Sequence, residues 1–370
     1  MQEKAVRMNQ KYIIAVDSFK GCLTTAEAGK AVAEALHEAL GDVETACLPM
    51  SDGGEGMAEA FTTALGGSIT GAYVHDPMMR RVWAEYGLTP DGTAVIEVAK
   101  ACGLTLLDEE ERNPLRATSY GVGELVAAGV KRGCRRFIIG LGGSGTSDAG
   151  IGMLKALTEK LAPRGGTIDD ALKGPLRGCS FTLACDVDNP LLGANGATAV
   201  FARQKGATPE MMPLLERRAM RFAKASAMHF GFDRSCQPGA GAAGGLGYAF
   251  MQYLSAVQVS GADLLLDLLD FDSKTDGATA VITGEGHADR QTLMGKLPVR
   301  VMERARQRDV PTWLLAGRVE NKDELIGAGF AVAESVTPDG MDLDEAMRKE
   351  TAMRNMASAV RKLTSRLPYL

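Results

Sequence analysis

Six short stretches gather the residue types that handle anions, metals and protons. Asp17-Ser18-Phe19-Lys20-Gly21 sets an acid, a hydroxyl and a cation directly after an apolar run. Its backbone donors and its ammonium suit a carboxylate or a phosphate. Ser51-Asp52-Gly53-Gly54-Glu55-Gly56 joins glycines, which let main chain approach a ligand closely, to two acids. A helix starting there offers unpaired N–H groups to an anion, and Asp52 and Glu55 beside it suit a bound Mg2+ or removal of a proton. Capping of that helix by Asp52 is the plainer alternative, and both can hold.

Gly140-Leu-Gly-Gly-Ser-Gly-Thr-Ser-Asp-Ala-Gly150 has the makings of a phosphate cradle. Successive backbone N–H groups in tight turns, here around Gly142 and Gly143, form an anion-binding concavity. Ser144, Thr146 and Ser147 add hydroxyls, and Asp148 suits a metal or a ribose. No Gly-Lys-[Ser/Thr] follows, so this is not a Walker A loop. The plainer alternative is a tight turn with Ser147 as helix cap. Cys185-Asp186-Val187-Asp188-Asn189-Pro190 closes an apolar run with two acids at i and i+2. On a strand those two share a face, where one is held protonated and the other ionised, as a base and a metal ligand need; an Asp turn before Pro190 is the alternative. Ile282-Thr-Gly-Glu-Gly286 is followed by Asp289 and Lys296. Glu285 and Asp289 at a helix entrance, with a lysine further in, suit Mg2+ and phosphate. Gly239-Ala-Gly241-Ala-Ala-Gly244 matches G-x-G-x-x-G, with Asp263 downstream, yet Phe232–Pro238 before it does not read as a strand, and a lone match is weak. Close packing of the following helix is the better reading. Gln204-Lys205-Gly206 is a polar loop that carries no signal of its own.

The elements that must position these stretches follow an α/β rhythm. Tyr12–Val16 reads as a buried strand, and Thr24 and Glu27 have capping-box spacing ahead of a helix with one apolar face. Val43–Met50 reads as a second strand, with a helix to about Leu65. Residues 68–107 carry strand-like runs with a Pro90-Asp91-Gly92 turn, a meander rather than a βαβ unit. A helix near 119–132, strands Arg136–Leu141 and Phe181–Cys185, and a long helix over 208–230 follow. After Asp276 the βαβ rhythm resumes to the C-terminal helix. The expected organisation is α/β, with a discontinuous first domain (1–70 and 275–370) and an inserted central domain (71–274). The composition is that of a globular chain: 370 residues, 45% apolar, 24% charged, net charge -5. No large cationic field advertises nucleic acid or an anionic membrane. Seven scattered cysteines without a Cys-x-x-Cys pair argue against a disulfide framework or a zinc knot. Neither a signal peptide nor a membrane span is apparent, which makes the cytoplasm the expected address. Arg217, Arg218 and Arg221 read as a solvated helix face.

Glycine-rich, acid-bearing turns without a nucleophile–histidine pairing are the inventory of phosphoryl transfer, which needs phosphate cradling, Mg2+ carboxylates and a positioned hydroxyl. In order along the chain, Asp17–Gly21, Met50–Gly56, Gly142–Asp148, Ala184–Pro190, Phe201–Gly206, Pro238–Gly247 and Ile282–Gly286 with Gln291-Thr292 and Gly295-Lys296 resemble the bacterial glycerate kinases of the D-glycerate 2-kinase type. The resemblance implies a Rossmann-like parallel-sheet domain built from both chain ends and a smaller inserted α/β domain. It implies ATP with Mg2+, and conversion of D-glycerate to 2-phosphoglycerate in glycolate, glyoxylate or sugar-acid breakdown. The partners expected are D-glycerate and ATP, with no nucleic acid and no membrane; a homodimer stays open. Phosphorylation at the 3-hydroxyl, or of another small hydroxy acid, is the alternative within the class. On this footing Asp186 is the first candidate for the base and Asp188 the second. Lys20, Ser18, Asp52, Glu55 and the Gly53–Gly54 backbone would hold the glycerate carboxylate or the transferring phosphate. Gly142, Gly143, Ser144, Thr146 and Asp148 would take the nucleotide, with Lys296 near it, and Glu285 and Asp289 would serve the metal. The sequence departs from the family pattern at Cys22, at Ser147-Asp148-Ala149 and at His287-Ala288-Asp289. Two rivals from other classes are a nicotinamide-dependent hydroxy-acid dehydrogenase, resting on residues 239–244, and a non-catalytic small-anion binding protein.

Overall fold

The computed structural model describes residues 10–19, 21–51 and 56–366. Lys20, Asp52, Gly53, Gly54 and Glu55 therefore lie outside the described residues. Eleven strands form among those described: β1 (Lys11–Val16), β2 (Glu44–Cys47), β3 (Ser68–His75), β4 (Arg81–Leu88), β5 (Thr93–Glu97), β6 (Arg136–Gly140), β7 (Ser180–Ala184), β8 (Val257–Val259), β9 (Ala280–Ala288), β10 (Thr312–Val319) and β11 (Val332–Ser335). They make two sheets in two compact units, Met1–Asp52 with Ala262–Leu370, and Gly53–Gly261. No helix among the described residues is long and apolar enough to cross a membrane.

The first unit is a five-stranded sheet in the order β11-β10-β9-β1-β2, parallel throughout. β1 lies inside it, hydrogen-bonded to β2 on one side and β9 on the other, with Tyr12 opposite Thr45 and Ala280. Helices cover both faces, so β1 is apolar without alternation. On one face Tyr12, Ile14 and Val16 meet Val32 and Leu36 of the Thr25–Leu40 helix and Met356 and Val360 of the Lys349–Thr364 helix. On the other, Leu314 and Ala316 meet Val299 and Met302 of the Leu297–Arg306 helix. Fully burying a side chain such as Leu36 or Val32 contributes roughly 1.5–3 kcal/mol each, which fixes the helix on the sheet. The expected capping box is present: Thr24 Oγ1 accepts from Glu27 N at 3.3 Å and Glu27 Oε2 accepts from Thr24 N at 3.0 Å. The chain leaves β1 toward β2 on one side, while β9, β10 and β11 step away on the other. In such an open sheet the crevice for ligands lies where the direction reverses, beyond the carboxyl ends of the two strands that meet there, here β1 and β9.

The second unit is a six-stranded sheet in the order β3-β4-β5-β6-β7-β8. β3, β4 and β5 run antiparallel, as the meander reading expected, and β5 to β8 run parallel. Phe137 and Phe181 stack at 4.8 Å on neighbouring strands, with Phe250 against Phe181. The inserted unit is the larger of the two, not the smaller. The Met57–Ala64 helix packs on β3, β4 and β5 and so joins this unit, although it precedes residue 70; the other boundary falls at Gly261 rather than 275. Two local expectations also shift. β7 stops at Ala184, and the Ala242–Leu254 helix is broken near its start, where Ala243, Gly244 and Gly245 all have positive φ.

Candidate active site

In the first unit the β1–β9 crevice is built from Asp17, Ser18 and the end of β9. Asp17 N donates to the Gly284 carbonyl at 2.9 Å, tying the two strand ends together. Ser18 N donates to Asp17 Oδ1 at 2.7 Å, and the Ser18 hydroxyl is buried with no hydrogen-bond partner among the described residues, as is that of Ser51 beyond β2. β9 does not close at Gly286 but continues to Ala288, because β10 stays paired with it through Arg318–His287 and Val319–Ala288. Glu285 is therefore a strand residue. Its Oε1 accepts from Thr292 Oγ1 at 2.6 Å, and its Oε2 lies 3.6 Å from Lys296 Nζ. Burial pushes its carboxyl above the ordinary value, with Thr292 and Lys296 pulling the other way and Asp289 adding to the rise. Asp289 organises the following turn, accepting from Gln291 N at 2.7 Å. Lys296 sits at the N-cap of the Leu297–Arg306 helix, not one to two turns into it. Glu285, Asp289 and Lys296 thus form one cluster, as their spacing suggested.

In the second unit three loops beyond the parallel strands lock into one another. The Gly140–Gly150 loop follows β6, the Cys185–Pro190 loop follows β7, and the glycine-rich Gly239–Gly247 segment braces both. Gly244 accepts from Ala149 N at 3.0 Å, and Gly241 N donates to the Asn189 carbonyl at 2.8 Å. Glycine is required at both positions: a Cβ at Gly244 (φ +66°) would lie 2.0 Å from the Thr146 carbonyl oxygen, and one at Gly241 would lie 2.2 Å from that of Pro190. Residues 232–241 contain no strand. The strand that a dinucleotide fingerprint needs before its first glycine is missing, and the G-x-G-x-x-G spacing here serves loop packing.

Asp148 is 1% exposed and is not open to a ligand. Its Oδ2 accepts from Ser119 N and Ser119 Oγ, each at 2.9 Å, from Gly152 N at 3.1 Å and from Thr118 Oγ1 at 3.3 Å, while Oδ1 accepts from Gly150 N at 3.1 Å. The carboxylate clasps the loop to the start of the Tyr120–Lys131 helix. Thr146 is also fully buried, its hydroxyl 3.9 Å from Cys102 Sγ. Ser147 is not the helix cap, a place Gly150 takes; the Ser147 hydroxyl is buried without a partner. Gly142 and Gly143 form the accessible crest of the loop, with Gly143 at φ +71° and its carbonyl accepting from Leu104 N at 2.9 Å.

Lys205, from a polar stretch that carries no chemical signal of its own, reaches into this loop. It is 2% exposed; Nζ donates to Ser144 Oγ at 2.9 Å and to the Thr146 carbonyl at 2.8 Å. Burial lowers its ammonium to about 8, with Cys102 and Asp148 acting in the opposite sense. Asp186 and Asp188 lie beyond the end of β7 in irregular chain, both exposed, so the shared face of a strand does not apply to them. Gln258 of β8 supports that segment, donating from Nε2 to the carbonyls of Cys185 and Val187, each at 3.0 Å.

Two ligand chemistries fit these residues. An anion suits the Gly142–Gly143 crest, the part of the loop open to solvent, with the Lys205 ammonium held against the neighbouring Ser144 and Thr146. A divalent cation suits Glu285 and Asp289 only in the Mg2+ manner, with one or two carboxylates and the rest of the shell from phosphate and water. No group of three His, Cys, Asp or Glu able to cage a metal occurs among the described residues.

The sequence profile of the Glycerate kinase family matches residues 12–367. The glycerate kinase of Bacillus subtilis (strain 168) is 38% identical over 373 residues, covering 95% of this chain and 98% of that protein. The glycerate 2-kinase of Escherichia coli (strain K12) is 36% identical over 378 residues, covering 96% and 98%. A crystal structure from Salmonella typhimurium LT2, assigned as glycerate kinase 2, superposes with a TM-score of 0.80 at 34% identity, covering 97% of this chain and 98% of that one. With the parallel sheets, the loop cluster and the match along almost its whole length together, the chain belongs to the glycerate kinase family.

Proposed function

We propose that this protein is an ATP-dependent kinase that phosphorylates D-glycerate on its 2-hydroxyl, giving 2-phospho-D-glycerate and ADP. The observation that carries the reading is the Gly142–Ser147 loop seated over a buried lysine, an anion cradle in a chain of this family. The name of the E. coli relative favours the 2-hydroxyl. Mg2+ bound with ATP would neutralise charge on the phosphates during transfer. The Gly142–Gly143 backbone would hold nucleotide phosphates, with Ser144, Thr146 and Asp148 shaping the loop rather than touching the ligand. Glu285 and Asp289 would hold the metal, and Lys296 keeps Glu285 oriented. Asp186 would accept the proton from the attacking hydroxyl, with Asp188 as the second choice; both are open to solvent and sit on a loop that Gln258 fixes. Ser18, whose buried hydroxyl has no partner among the described residues, would join Lys20, Asp52, Glu55 and the Gly53–Gly54 backbone in binding the glycerate carboxylate or the moving phosphoryl group. The enzyme would work in the cytoplasm on small molecules alone, as a monomer or a homodimer.

The test is ADP release coupled to a reporter enzyme, with D-glycerate, L-glycerate and lactate as acceptors, and phosphorus NMR of the product. ADP release with D-glycerate and a 2-phosphate resonance is the expected result. A 3-phosphate resonance moves the reaction to the other hydroxyl. Binding of glycerate without ADP release replaces the kinase by a binding protein.

A further inference from the structure

An ammonium as deep as that of Lys205 ordinarily touches a carboxylate. Its contacts here are two neutral oxygens, the Ser144 hydroxyl and the Thr146 carbonyl, and none of the ion pairs among the described residues includes it. The titratable groups that act on it are Asp148 and Cys102. Asp148 acts on it through space and raises its affinity for the proton, but the carboxylate makes its hydrogen bonds to Ser119, Thr118, Gly150 and Gly152 and forms no ion pair with it. Cys102 is fully buried and its thiol is pushed up to about 12, so it carries no charge near neutrality. A buried cation is thus held against Ser144 and Thr146, next to the accessible Gly142–Gly143 crest of the loop, with no carboxylate in contact and Asp148 acting on it only through space.

We propose that Lys205 is a positioning residue whose ammonium both props Ser144 and Thr146 and supplies the charge that an anion seated on Gly142–Gly143 neutralises. The proposal rests on reading this loop as the site of nucleotide phosphates. It has a thermodynamic consequence that a purely structural lysine lacks. Burial makes the empty site hold its proton weakly, and an anion close above restores the proton's affinity. Binding then takes up protons on the alkaline side of neutrality, and affinity falls as pH rises.

The experiment is calorimetric titration of the full chain with MgATP, without glycerate, and separately with D-glycerate, in two buffers of different ionisation enthalpy. At a pH of about 8.5 the phosphates of ATP are already ionised, so protons taken up belong to the protein. The expected result is uptake of about half a proton with MgATP, and an affinity about tenfold weaker at high pH than at pH 7, as a rise of one unit on binding requires. Lys205→Met should bind MgATP about tenfold more weakly at pH 7 and with no uptake. Uptake with D-glycerate instead of MgATP upholds the role of Lys205 and overturns the nucleotide reading of the loop. No uptake with either ligand overturns the proposal, and the wild-type protein alone decides this if the variant fails to fold.

Discussion

Replacing Asp148 tests whether the loop owes its shape to one carboxylate. Alanine at 148 leaves three backbone donors, Ser119, Gly150 and Gly152, without their acceptor in a place almost closed to water. Each orphaned donor costs about 1–3 kcal/mol, so with partial relaxation Asp148→Ala should lose about 4 kcal/mol of stability. Asparagine separates the contributions of the two oxygens. Its oxygen can take the place of Oδ2 and keep Ser119, Thr118 and Gly152, while its amide opposes only Gly150 N. Asp148→Asn should therefore lose about half as much, roughly 2 kcal/mol. Urea unfolding followed by hydrogen exchange resolves the two units of the chain, which need not unfold together. Peptides spanning 118–125 and 144–153 should lose protection in both variants, and those from β1 and β9 should not. A loss within about 1 kcal/mol for alanine, or equal losses for the two variants, refutes the reasoning.

Two further predictions concern the same loop. Lys205 titrates at about 8 when folded against 10.5 for the ordinary lysine, so the unfolded chain binds the proton more tightly between those values and stability rises across that window. The rise should approach about 3 kcal/mol, at 1.36 kcal/mol per unit, and Lys205→Met should flatten it in urea midpoints measured from pH 7 to pH 11. Gly244→Ala drives a Cβ to 2.0 Å from the Thr146 carbonyl oxygen at φ +66°, whereas Gly231→Ala, at φ +76°, meets open space. The first should cost at least about 2 kcal/mol more than the second, and equal melting temperatures would show that the glycine segment does not brace the loop.

The parts legible in sequence were those whose signals are local. The β1 run, the Thr24–Glu27 cap and the meander all declare themselves within a few residues, and the structure contains each. What escaped depends on distant partners. Lys205 reads as an ordinary polar residue, because the two oxygens that bury its ammonium lie about sixty positions earlier. Asp148 reads as a ligand because a carboxylate in a glycine-rich loop looks the same whether its donors are the protein's own or a visitor's. β7 ends one residue before the apolar run does, since Gln258, more than seventy positions on, claims the Cys185 and Val187 carbonyls. β9 outlasts its Gly-Glu-Gly punctuation because β10 keeps pairing with it to Ala288.

The placement of β1 between β2 and β9 sets a schedule for the nascent protein. Thr283 bonds back to the Ala15 carbonyl across 268 positions, so the partner that shelters one edge of the first strand emerges from the ribosome long after it. At about 5–20 residues per second, that edge waits roughly 15–50 s, through synthesis of the whole inserted unit. That intervening unit contains its own complete sheet and can mature during the delay, whereas the two-stranded N-terminal fragment must remain soluble with an apolar ribbon uncovered. The hazard of misassembly is therefore concentrated at the beginning of the polypeptide and lifted only when its far end arrives.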